Sequence, residues 1–162
     1  MKVGVVSDTH IPSLSRYIPE ALWRGLEGCE HLIHAGDFET LEIYEEFNER
    51  FPFSGVKGNR DLFNDRGHLP DQRIIELEGF TIGITHGFGS RVGLPERVRK
   101  GWTEPVDLLV FGHSHQVGIY DIDGLKLLNP GSPTDFISAA RQTFALLNLG
   151  DTIEIEIHEL DS

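Results

Sequence analysis

The chain has 162 residues, and its 14 Lys and Arg against 26 Asp and Glu leave a net charge of -12, which argues against a protein that grips nucleic acid through a basic face. A solitary cysteine, Cys29, excludes an intramolecular disulfide and a cysteine-based metal site, and no apolar run approaches the ~18–20 residues of a membrane span. The start, MKVGVVSDTH, turns polar too early for a signal peptide, so one cytoplasmic domain over 1–162 is expected, long enough to bury a core without metal or disulfide support.

Val3 to Ser7 is a short β-branched run ending in polar residues, the pattern of a strand buried on both faces. Pro19 opens a helical stretch, PEALWRGLEG, with Ala21, Leu22, Trp23 and Leu26 as inward candidates. A second strand covers His31 to His34 and runs into Ala35-Gly36-Asp37. In TLEIYEEFNERF, Leu41, Tyr44 and Phe47 or Phe51 share one face, and Glu42, Glu45, Glu46 and Glu49 the wet one, with Thr40 placed to cap the helix. A third strand, Phe53 to Lys57, leads into Gly58-Asn59. This β-α-β-α-β order indicates a layered α/β fold.

The second half is richer in strands. Arg73 to Leu77 and Phe80 to Thr85 flank Glu78-Gly79, a hairpin signal. Val92 to Lys100 reads as a helix and Leu108 to Phe111 as a buried strand. Val117 to Asp121 and Leu125 to Leu128 form a second hairpin about Asp123-Gly124, and Phe144 to Leu149 and Ile153 to Ile157 close the chain about Gly150-Asp151. The expected architecture is an α/β fold with two mixed sheets packed face to face and helices outside.

Polar residues collect at the strand ends. Asp8-Thr9-His10, Gly36-Asp37, Gly58-Asn59-Arg60-Asp61, His86-Gly87 and Gly112-His113-Ser114-His115 each follow the carboxyl end of a predicted strand, where open α/β sheets place their sites. Asp8 and His10 alternate, as do His113 and His115, and each pair converges on one centre if its loop curls. Oxygen and nitrogen donors without thiolate suit two divalent ions such as Mn, Fe, Co, Ni or Zn, whereas calcium wants more carboxylates.

With SDTH at 7–10, HAGD at 34–37, GNRD at 58–61, THG at 85–87, GHSH at 112–115 and NPGSP at 129–133, the chain resembles the calcineurin-like metallophosphoesterases, in particular their small YfcE-type phosphodiesterases. The resemblance implies a four-layer αββα sandwich and a dinuclear centre, manganese first among its metals. Asp8, His10 and His115 would hold one ion and Asn59, His86 and His113 the other, with Asp37 bridging them. The ions would activate a hydroxide for in-line attack on phosphorus. The implied partner is a small phosphoester, without stable nucleic-acid or membrane binding; self-association is left open. The alternative is a non-catalytic scaffold of the same fold, like the vacuolar sorting subunit of retromer.

The chain departs from the wider superfamily at Arg60, where many members carry a histidine assigned to protonate the leaving group. A guanidinium keeps its proton, so the role expected of Arg60 is to clamp a phosphate oxygen, which disfavours poor alkyl leaving groups. Phe88 stands where close relatives often have histidine, which suggests an apolar wall beside the site. Elsewhere, His34 reads as a core residue or a support for the ligands, and His31, His68 and His158 as surface residues. Asp61 reads as a loop orienter or a turn cap, Asn129 to Ser132 as a structural turn, and Cys29 as a small buried apolar residue.

Overall fold

The computed structural model describes residues 1–63 and 69–160; His68, expected at the surface, lies outside them. One sheet contains β1 (Lys2–Val6), β2 (His31–His34), β3 (Phe53–Gly55), β9 (Thr143–Leu149) and β10 (Ile153–Glu159), in the order β10-β9-β1-β2-β3. The other contains β4 (Gln72–Leu77), β5 (Phe80–Thr85), β6 (Leu108–Val110), β7 (Gly118–Ile122) and β8 (Leu125–Asn129), in the order β4-β5-β6-β8-β7. In the first, β1, β2 and β3 run parallel; in the second, β5, β6 and β8 do. Hairpin and meander partners supply the antiparallel edges.

The alternation of side chains along these strands builds the layers. Val3, Val5, Ile33, Ile84, Leu108 and Val110 meet between the sheets. Their neighbours of opposite parity face outward: Val6 and Leu32 pack under α1 (Glu20–Gly25) and α2 (Leu41–Arg50). Leu109 and Phe111 pack against Leu94, Val98 and Trp102, on and just after α3 (Leu94–Gly101). Strands covered on both faces therefore read as unbroken apolar runs. Ile153, Ile155 and Ile157 of the edge strand β10 are half-buried against the core while Glu154 and Glu156 stay exposed. The expected two-sheet sandwich with outer helices is the fold observed.

Local departures have identifiable causes. On α2 the buried residues are Ile43 and Phe47, with the expected Tyr44 half-buried against the same cluster and Leu41 only half-buried; Phe47 stacks on Phe53 with ring centroids 6.2 Å apart. Thr40 occupies the N-cap with extended backbone, yet its hydroxyl makes no capping bond. The first two residues of the predicted third helix lie outside α3, which is capped by Gly93 in the left-handed conformation. Segment 88–92 is instead held as a loop by Arg97. His31 is half-buried against Ser54 Oγ (2.9 Å) rather than free at the surface.

The two turns flagged as hairpins have positive φ at both central residues, Glu78-Gly79 and Asp123-Gly124, the geometry of type I′ connections. The burial of Ile43 in place of Leu41 is open to a stability test. Ile43→Ala is expected to cost about 2–4 kcal/mol, as for a buried aliphatic truncation, and Leu41→Ala clearly less; urea unfolding of the two variants makes the comparison.

Candidate metal centre

The parallel strands of both sheets deliver their carboxyl ends to the same edge of the sandwich. Asp8 and His10 follow β1, Asp37 follows β2, Asn59 follows β3, His86 follows β5, and His113 and His115 follow β6. Three of these loops curl in the same way: Asp8 and His10, Asp37 and Glu39, and His113 and His115 all have positive φ at alternate positions. That conformation costs a non-glycine residue roughly 1–2 kcal/mol, and here it turns alternate side chains toward one point. Close approach of the loops also demands glycine. A Cβ on Gly58 would lie 2.2 Å from Asp37 Oδ1, and one on Gly112 2.0 Å from Ser7 Oγ.

Asp8 and Asp37 each have one anchored oxygen and one aimed inward. Asp8 Oδ2 accepts bonds from Ser7 Oγ (2.7 Å) and the His113 amide (2.9 Å). Its Oδ1 lies 3.6 Å from His10 Nε2, 3.4 Å from His115 Nε2 and 3.8 Å from His86 Nε2. Asp37 Oδ1 accepts from the Arg60 amide (2.7 Å), while Oδ2 faces His10 Nε2 (3.3 Å) and His86 Nε2 (3.1 Å).

The imidazoles are oriented from behind. His10 Nδ1 meets Glu39 Oε2 at 2.9 Å, His115 Nδ1 meets Asp135 Oδ2 at 2.6 Å, and His86 Nδ1 meets the Ala35 carbonyl at 2.7 Å. Each of these acceptors receives a hydrogen bond from Nδ1–H and leaves Nε2 as the inward nitrogen. His113 is held the other way round, with Nε2 donating to the Gly89 carbonyl (2.7 Å), so Nδ1 is its remaining nitrogen. His113 packs beside His86 with ring centroids 5.3 Å apart, and Asn59 Oδ1 lies 3.1 Å from His86 Nε2.

An inward lone pair facing a carboxylate oxygen at these distances is repulsive unless a proton or a cation stands between them. Among the described residues, buried Asp8 Oδ1 and His10 Nε2 have no hydrogen-bond partner, the arrangement that a metal ion completes. Two sets of side chains among the described residues each place their ligand atoms within 4.8 Å of one another: Asp8, His10 and His115, and Asp8, Asp37 and His86. Asn59 and His113 adjoin the second. The donors are imidazole and carboxylate, which suits Mn, Fe, Co, Ni or Zn.

Charge follows the same geometry. Burial alone would raise the carboxyl of Asp8, but the imidazoles of His86, His10 and His115 outweigh it and hold it well below the ordinary carboxylate range. Asp37 is lowered by His10 and His86, again against the effect of burial. Burial would lower His10 and His86, but Asp37 and Asp8 push them up to about 10 and about 9. His34 behaves oppositely: complete burial drives it down to about 3, so its neutral ring accepts from the Gly36 amide (3.0 Å), bonds Thr9 Oγ1 (3.2 Å) and stacks on Phe38. It is a core residue that also fixes the two ligand loops.

Asp61 orients a loop, accepting amide bonds from Asp37, Glu39 and Gly58 at 2.8–2.9 Å. Asn129 to Ser132 is structural but lies directly beneath the site. Asn129 Nδ2 donates to the Gly112 carbonyl (3.1 Å), Ser132 Oγ to the Asp8 carbonyl (2.8 Å) and Thr134 Oγ1 to the Thr9 carbonyl (2.7 Å). The sequence reading missed Glu39, Asp135 and these hydroxyl struts. The one available signal was position, since Glu39 and Asp135 also follow strand ends. Arg60 is exposed, on the rim of a cleft of about 280 Å³ lined also by His10, Asp37, His113 and His115.

The calcineurin-like phosphoesterase superfamily domain matches residues 1–152. The chain is 38% identical over 135 residues to a probable metallophosphoesterase of Methanothermobacter thermautotrophicus, covering 83% of this chain and 78% of that one. It is 27% identical over 152 residues to a phosphodiesterase of Methanocaldococcus jannaschii, covering 85% and 87%. Vps29 of Chaetomium thermophilum shares the fold, with a TM-score of 0.78 at 18% identity over 98% of this chain and 93% of that one.

Metal loading is expected to be coupled to protons. Asp37 and Asp8 favour the protonated forms of His10 and His86, whereas a cation binds only their neutral forms. Affinity should therefore rise with pH as those rings lose their protons. Calorimetric titration with manganese in buffers of different ionisation enthalpy should report net proton release. Asp135→Asn, which loosens the support of His115, should weaken manganese binding by about 10–100-fold.

Proposed function

The chain belongs to the calcineurin-like phosphoesterase superfamily, and on that footing we propose that it is a metal-dependent phosphodiesterase with a centre for two divalent ions, manganese first among them. Asp8, His10 and His115 would hold one ion, Asn59, His86 and His113 the other, and Asp37 would join them. The observation that carries this reading is the buried pair Asp8 Oδ1 and His10 Nε2, without hydrogen-bond partners among the described residues, and the two clusters of metal-type donors those residues form. Two divalent ions in such a donor set supply a nucleophilic water at neutral pH and positive charge for a phosphoryl group.

The protein's own part is to hold and to select. Glu39, Asp135 and the Ala35 carbonyl keep three imidazoles in the tautomer that ligates. Ser7 and the amides of His113 and Arg60 fix the outer carboxylate oxygens, so little reorganisation is needed when substrate arrives. The Arg60 side chain, at the rim of the cleft, can offer paired N–H donors to a phosphate oxygen. It cannot give up a proton to the departing oxygen, so a leaving group stable as an anion is favoured. The buried donors and the groups that hold them are what the enzymatic reading requires.

Reconstituted protein, assayed with several divalent metals against mono- and diesters, should hydrolyse diesters and bind about two ions per chain. Asp37→Ala should reduce both occupancies and lower turnover by at least ~10²-fold. Failure of every loaded form to hydrolyse any ester overturns the assignment.

The identity of residue 60 makes a separate expectation. Rates for a diester series should fall steeply as the leaving-group pKa rises, because the general-acid contribution of ~10²–10⁴-fold is missing. Arg60→His should flatten that dependence. A flat dependence in the parent protein with chemistry rate-limiting would mean that another group supplies the proton.

A further inference from the structure

Phe88 is 63% exposed, two residues after the candidate ligand His86, and its loop is tightly tied. Arg97 of α3 donates Nε–H to the Phe88 carbonyl (2.9 Å), Nη1–H to the Val92 carbonyl (3.4 Å) and Nη2–H to the Ser90 carbonyl. Its guanidinium carbon also stands over the Phe88 ring, 5.5 Å from the centroid, within cation–π range. On the other side, the Gly89 carbonyl receives His113 Nε2–H. The aromatic ring is thus presented to solvent from a loop braced between α3 and the metal centre. The backbone that carries the ring is held from both sides, and a preorganised exposed aromatic is what a stacking site requires.

Phe88 lines a cleft of about 680 Å³, together with Leu62, itself 85% exposed. Asn59 and His86 form part of its wall, so the cleft opens onto the metal centre, and Asp71 and Gln72 line it as well. It is larger than a phosphoryl group needs and within the range of small-molecule sites.

We propose that this cleft is the subsite for a planar aromatic substituent of the phosphodiester, stacked on Phe88 against Leu62, with Gln72 and Asp71 offered to a polar ring edge. The proposal rests on the phosphodiesterase reading and names its substrate class. A nucleobase and a simple aryl ester share the planar ring; the polar edge distinguishes them.

The test is calorimetric binding of methyl phosphate, phenyl phosphate and thymidine 5′-monophosphate to the manganese-loaded chain. The two ring-bearing ligands should bind about tenfold more tightly than methyl phosphate, the scale of one aromatic stack. Phe88→Ala should remove most of that ratio and Phe88→Trp should retain it. If Gln72→Ala weakens only the thymidine ligand, the ring is a nucleobase; if it weakens neither, it is a plain aryl group. Equal affinity for all three ligands, binding of none, or a ratio unchanged in Phe88→Ala overturns the proposal. Hydrolysis is scored separately. Ring preference without hydrolysis of any diester sinks the phosphodiesterase reading alone, whereas hydrolysis without ring preference sinks the cleft alone.

Discussion

Two buried carboxylates face three imidazole nitrogens across 3.1–3.8 Å, and that concentration of electron pairs governs the rest of the molecule. It is tolerable only with positive charge inside it. Protons can supply that charge, which is why the histidines are held basic and the aspartates acidic; a divalent ion supplies more of it from a single centre. Glu39 and Asp135 reinforce the demand, since they bond the rear of His10 and His115 and raise the basicity of the inward nitrogens.

The fold is arranged to meet that demand. Parallel strands in both sheets of the sandwich bring their ends to one edge, so donors far apart in sequence meet without any long excursion of the chain. The remaining distance is closed by left-handed turns at Asp8, His10, Asp37, His113 and His115. Their strain is offset by hydrogen bonds to the same loops, among them Ser132 Oγ to the Asp8 carbonyl and the Asp8 amide to the Gly36 carbonyl (2.9 Å). The outward face of the sheet has a different task. Leu109 and Phe111 hold α3 in place, and α3 in turn carries Arg97, which sets the loop after β5. Core packing on one side of the molecule thereby reaches the mouth of the site on the other.

A net charge of -12 does not oppose binding of a phosphoester, because the local field is dominated by whatever cation the donors hold. Specificity lies in the surroundings of the centre. On the proposed reading, Arg60 would offer charge without a proton to give a leaving group, and Phe88 would offer a ring face to a flat substituent.

The sequence by itself determined the order of elements, the two hairpin turns, the unbroken apolar strands of a two-faced core and the grouping of polar residues at strand ends. Each of these is written locally, in side-chain alternation, in glycine beside Asp or Glu, or in the motif that follows a strand. Tertiary structure alone decided which residues support the donors. Ser132 reaches Asp8 across 124 positions and Asp135 reaches His115 across 20; no periodicity records such a pairing. It also decided that Ile43, which the helical pattern had left off the inward face, is buried with Phe47 in the core cluster under α2. Asp61 could be read either as a loop orienter or as a turn cap, and only the three amides converging on it settle its role. Local chemistry names the donors, but the direction in which each ring nitrogen points depends on an acceptor that only the folded chain brings into reach.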